Sequence, residues 1–85
     1  MNSDRHKIRI KDEIYSLSRD DVIAAVKGEV PRRLNSYYVE VDGRRFPPKQ
    51  LLRAATRTKA AFVSATAVSA LQKLGFEVVR IRDAE

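Results

Sequence analysis

Apolar and polar residues alternate near the start of the chain. In Lys7-Ile8-Arg9-Ile10 both isoleucines fall on one side, which predicts a short strand. Ile14 to Leu17 predicts a second extended piece. The period then changes. In residues 18–28 the apolar positions Val22, Ile23 and Val26 recur at helical spacing. Ser18 stands where an N-cap belongs, and Asp21 three residues later can complete a capping box. Asp20 and Asp21 suit the positive end of the helix dipole, and Lys27 followed by Gly28 marks the stop. Residues 29–35 read as a connecting loop.

Alternation returns in Ser-Tyr-Tyr-Val-Glu-Val-Asp-Gly-Arg-Arg-Phe, residues 36–46. Asp42-Gly43 supplies the positive φ angles of a type I′ turn between alternating flanks, so the segment predicts a β-hairpin with a fixed register. Val41 then faces Arg44, Glu40 faces Arg45 and Val39 faces Phe46. Tyr37, Val39 and Phe46 lie toward the core. Tyr38, Glu40 and Arg45 lie on the other face, where Glu40 can pair with Arg45. Pro47 ends the second strand and Pro48 suits the first turn of a helix. Residues 48–56 form that helix, with Leu51, Leu52 and Ala55 on its buried side and Lys49, Arg53 and Arg57 at a spacing of four on its outer side.

A further helix is expected from Ser64, its cap, to Gly75, its stop. Ala67, Val68, Leu71 and Leu74 face inward and Thr66, Ser69 and Lys73 share the outer face. Residues 76–82 alternate as a closing strand. The expected fold is an α+β domain with a small, mainly antiparallel sheet, made by the 37–46 hairpin and the C-terminal strand, packed on three short helices.

The length of 85 residues suits one domain, here 7–85, after a flexible polar tail at 1–6. The absence of cysteine removes disulfides and thiolate zinc sites and fits a reducing cytoplasm. No apolar run spans a bilayer and the first residues lack the apolar region of a signal peptide, so no membrane role is expected. The single histidine, His6, falls in the tail. The acidic residues form no spaced pair for acid-base or metal chemistry, and no glycine-rich loop is present. No cofactor and no catalysis are expected.

Charge changes the picture. The net charge is +6, and its distribution is uneven. Between Asp42 and Glu77 there is no acidic residue, while Arg44, Arg45, Lys49, Arg53, Arg57, Lys59 and Lys73 lie there. The ten other basic residues nearly cancel the eleven acids. The excess therefore belongs to one segment, and an unopposed basic segment favours a polyanionic partner.

Tyr37 to Phe46, Lys49 entering the next helix, and Leu74 to Val78 together resemble a small N-terminal module of bacterial HNH-type restriction endonucleases. These are the McrA-like, modification-dependent enzymes of actinobacterial type. The resemblance runs over roughly residues 18 to 80. It implies a DNA-binding head, fused in its relatives to a nuclease domain, with a role in sensing modified bases such as methylcytosine. It implies no catalysis, and no HNH motif occurs in this chain.

The candidate contacts follow. A helical spacing of four gives about 6 Å per step, near the spacing of successive backbone phosphates, so Lys49, Arg53 and Arg57 read as a phosphate track. The bland alternative is a solvated helix face. Arg44 projects from the hairpin tip, whereas Arg45 serves equally well opposite Glu40. Lys59 extends the basic segment. Ser64 is either an anion site at a helix N-terminus or a plain cap. Thr66, Ser69, Gln72 and Lys73 read base edges if their helix enters the major groove, although small polar residues on an outer face are ordinary. Tyr38 can stack on an unpaired base, with Tyr37 given to the core. Arg32 and Arg33 enlarge the basic surface from their loop.

The expected function is a non-catalytic, double-stranded DNA-binding module docking through residues 43–76, cytoplasmic and nucleoid-associated, serving as a modified-base sensor or a small chromosome-binding or regulatory protein. The sequence leaves homodimerisation open. The competing reading is a protein-interaction adaptor whose basic face or sheet edge meets an acidic partner.

Overall fold

The structure, a computed structural model, describes residues 5–34 and 36–81. It is an α+β fold in which two small antiparallel sheets and three helices share one core. The elements run β1 (His6–Ile10), β2 (Glu13–Leu17), α1 (Arg19–Ala25), β3 (Tyr37–Val41), β4 (Arg44–Phe46), α2 (Pro48–Thr56), α3 (Ser64–Lys73) and β5 (Val79–Arg80). No helix among the described residues is long and apolar enough to cross a membrane.

β1 and β2 pair with each other through a tight turn at Lys11-Asp12, with Lys7 opposite Ser16 and Arg9 opposite Ile14. They form a sheet of their own rather than extending the central one. Ile8, Ile10 and Leu17 are buried, so the alternation of β1 sets which face meets the core. The tail expected over 1–6 ends sooner than that. His6 opens β1, and Arg5 reaches Asp21 at 3.0 Å. Residues 1–4 lie outside the described residues.

α1 begins as its sequence requires. The Ser18 side chain accepts the Asp21 N–H at 3.2 Å, while the Asp21 carboxylate accepts the Ser18 N–H at 2.9 Å. Both partners are local in sequence, so the capping box forms independently of the rest of the fold. Val22 and Val26 are buried and Ile23 is half-buried.

The central sheet has the order β4-β3-β5. The hairpin register is Val39 with Phe46, Glu40 with Arg45 and Val41 with Arg44. Asp42 and Gly43 have φ of 53° and 79°, the left-handed pair that a type I′ turn needs. Val39, Val41 and Phe46 are buried, and both tyrosines are half-buried. The closing strand is shorter than its alternation predicts. Among the described residues only Val79 and Arg80 pair with β3, and the Ile81 N–H donates to Ser36 O at 2.7 Å. Phe76 is taken instead by the end of α3, where it is buried, and Arg82 lies outside the described residues.

Pro47 caps α2 in an extended conformation, and Pro48 occupies the first turn, where its missing N–H costs nothing. Leu51 and Leu52 are fully buried, and Ala55 is half-buried. α3 departs from expectation at its start. Val63 is the N-cap, with no side-chain hydrogen bond, and Ser64 is already helical. The expected cap on Ser64 is therefore absent. Val63 O receives the N–H groups of Thr66 and Ala67, which fixes the boundary one residue earlier. The buried face uses Ala67, Ala70, Leu71 and Leu74, with Val68 half-buried on its flank. The C-terminus is a Schellman motif: Phe76 N–H donates to Leu71 O and Gly75 N–H to Gln72 O, both at 3.0 Å, with Gly75 at φ 95°.

Candidate nucleic-acid interface

A groove of about 430 Å³ runs between the α1–β3 loop and the first turns of α2. Its apolar lining is Tyr37, Pro47, Pro48 and Ala54, and its cations are Arg32, Arg33, Lys49 and Arg53. Glu29, Gln50 and Ser64 also border it.

The loop is held to the helix by one side chain. Gln50 Oε1 accepts the Arg32 N–H at 2.8 Å, and Gln50 Nε2 donates to Glu29 Oε1 at 3.0 Å and to Val30 O at 3.1 Å. The amide thereby uses its acceptor and both donors on one loop. Among the described residues Glu29 is the one carboxylate of the groove; it accepts from that amide and keeps its charge, so the four cations around it remain in excess. Among the described residues one ion pair forms, Arg5 with Asp21, and it uses none of the groove's cations. Guanidinium forks and an ammonium around a hollow with proline and tyrosine surfaces can hold a phosphate and rest an apolar moiety beside it.

The other expected contacts separate. Lys49 and Arg53 are exposed on α2, but Arg57 is not part of the helix. It is the C-cap at φ 58°, where its N–H donates to Arg53 O at 2.7 Å. The period of four therefore stops at Arg53, and Arg57 borders a different hollow with Arg5 and Asp21. Arg53 is partly committed to the fold. Its guanidinium lies 4.9 Å from the Phe62 ring centroid and donates to Thr58 O at 2.9 Å.

Arg44 donates to Glu29 O at 2.8 Å, tying the hairpin to the same loop. Arg45 does not pair with Glu40, although they are register partners. Its guanidinium lies 4.5 Å from the centroid of Tyr38, its diagonal neighbour. An exposed ion pair gains little, while a planar, weakly hydrated guanidinium gains from stacking, so the ring wins. Tyr38 is covered accordingly, which leaves less of its face for a base. Lys59 is exposed in the α2–α3 connection.

Ser64 borders the groove. Thr66, Ser69 and Lys73 border another hollow, with Lys7 and Arg9 of β1. Gln72 is exposed on α3. The fold thus gathers Arg32, Arg33, Lys49, Arg53 and Ser64 and sends Arg44, Arg57 and Lys73 elsewhere.

Sequence reasoning missed Gln50, which organises the groove, and misplaced Tyr37: expected in the core, it is half-buried, is not among the residues packed on the core, and lines the groove instead. The signal for Gln50 is slight: an uncharged polar residue directly before the buried Leu51-Leu52 pair. No family model, curated protein or solved structure matches the chain.

Proposed function

We propose that the protein is a double-stranded DNA-binding module, acting by binding and not by catalysis, and that the groove between residues 29–36 and α2 is the centre of its contact surface. One observation carries this reading: among the described residues, Arg32, Arg33, Lys49 and Arg53 surround a single hollow that holds one carboxylate, Glu29, so cations outnumber acids there. Such a cluster raises the local potential and attracts phosphate, and releasing condensed counterions makes the attraction salt-dependent. The backbone contacts would position the duplex, and the neutral groups at the groove, Ser64 and Tyr37, would meet what lies beside the phosphates. The resemblance of 18–80 to the head module of McrA-like endonucleases points the same way and adds the finer reading of a modified-base sensor. A nucleoid-associated, cytoplasmic role follows from DNA binding.

A fluorescence-anisotropy titration of random-sequence duplex at several salt concentrations tests the reading. Affinity falling steeply with salt, with a log–log slope of about −0.9 per phosphate contact, supports it. No duplex binding at low salt, or equal binding to an acidic peptide, gives preference to the adaptor reading. Matched methylated and unmethylated duplexes in the same titration decide whether base modification is sensed.

A further inference from the structure

We infer that the crevice between β1 and α3 is a second phosphate-contact track, built by Lys7 and Arg9 with Lys73; this rests on the nucleic-acid reading above but not on the groove. Lys7 and Arg9 are exposed on β1, while Ile8 and Ile10 anchor the strand in the core. With Thr66, Ser69 and Lys73 the two cations border a hollow of about 450 Å³. Arg9 and Thr66 also border the adjoining hollow, which adds Lys11. Among the described residues, no carboxylate lines either hollow. Across the β1–β2 ladder, Lys7 faces Ser16 and Arg9 faces Ile14, so no acid opposes either cation there.

The spacing selects the ligand. Alternate residues of a strand are about 6.6–6.8 Å apart, near the step between successive phosphates of one strand of nucleic acid. A ladder-bound strand holds that spacing, whereas the carboxylates of an acidic protein keep no fixed interval. The hydroxyls of Thr66 and Ser69, three residues apart on α3, provide neutral donors of the type that contacts phosphate and sugar oxygens. Composition concealed this track, because Lys7, Arg9 and Lys11 belong to the part of the chain whose charges nearly cancel. No residue borders both this crevice and the groove, so the two can be removed separately.

The test uses the full chain and a random-sequence duplex, titrated by anisotropy across a salt series. Lys7→Gln with Arg9→Gln removes the track, and Arg32→Gln with Lys49→Gln removes groove cations. The track variant should bind about tenfold more weakly at low salt, with its slope shallower by about 0.9 for each lost contact. Adding Lys73→Gln should take away one contact more. Thermal melting by circular dichroism should change little: Lys7 and Lys73 are exposed, and Arg9 gives up one exposed hydrogen bond, to Lys11 O at 3.3 Å. If the track variants keep the affinity and slope of the parent protein while the groove variant loses both, the track is wrong and the groove stands. If the track variants lose binding and the groove variant does not, the track stands and the groove reading falls. A parent protein that binds no duplex overturns both.

Discussion

The side-chain carbonyl of Gln50 on α2 accepts the backbone N–H of Arg32 at 2.8 Å, and through this bond a helix sets the position of a loop eighteen residues upstream. The same amide donates to Glu29 and Val30, so one half-buried side chain, helped by the Arg44 bond to Glu29 O, holds the wall of the groove. Gln50→Ala should lower stability by roughly 1–3 kcal/mol, the net value of two or three lost hydrogen bonds in a partly exposed setting. Amides of residues 30–34 should exchange faster with solvent, and duplex affinity should fall although no charge has changed. Gln50→Glu should be worse, because it replaces two donors with a second carboxylate beside Glu29. Urea denaturation and hydrogen exchange check both variants.

Arg45 and Tyr38 yield a prediction that separates stacking from ion pairing. Glu40→Gln should leave stability within about 0.5 kcal/mol, because no ion pair to Arg45 is there to be lost. Arg45→Ala should cost about 0.5–1 kcal/mol, the value of an exposed cation–π contact, and should uncover the Tyr38 ring. If Glu40→Gln proves the more damaging of the two in chemical denaturation, the side chains pair in solution as simple cross-strand electrostatics suggests.

What the sequence made legible was local. The capping box of Ser18 and Asp21, the register set by Asp42-Gly43 and the stop at Gly75 each depend on residues within a few positions of one another, so no tertiary information is needed. The face of each helix was readable for the same reason. What failed were places where the local pattern allowed two nearby partners and did not say which would win. Arg45 chose the Tyr38 ring over Glu40, and Ser64 lost its capping role because the backbone of Val63 closed the first turn. The closing strand starts only at Val79 because Phe76 serves the end of α3. The candidate site was half legible. A basic segment could be seen, but its division among several hollows, the contribution of Lys7 and Arg9, and the part played by Gln50 required the fold.

Arg57 offers a way to remove a cation without weakening the fold. It sits at φ 58° as the C-cap of α2, a left-handed position that glycine occupies without a Cβ penalty. Arg57→Gly should keep or slightly raise the melting temperature. Its effect on duplex binding then reports charge alone. Since Arg57 has left the helical row of Lys49 and Arg53 and borders a different hollow, the loss expected in the salt slope is smaller than for Lys49→Gln. A loss as large as that of Lys49→Gln would mean the duplex extends over the end of α2.

Lys49 and Arg53 lie one turn apart on the same helix and border the same groove, yet their substitutions should behave differently. Lys49 is exposed and has no hydrogen bond or ion pair among the described residues, so Lys49→Ala should change stability by no more than about 0.5 kcal/mol and reduce the salt slope by about one contact. Arg53 lies over Phe62 and holds Thr58 O, so Arg53→Ala should lose about 1–2 kcal/mol of stability together with its phosphate contact. Arg53→Lys keeps the charge but not the planar fork. It should retain most of the salt slope while recovering only part of the stability. Duplex titrations paired with urea denaturation on the three variants resolve the two roles. A fully stable Arg53→Ala would show that the α2–α3 connection does not depend on this side chain, and an unchanged salt slope for Lys49→Ala would remove the groove from the contact surface.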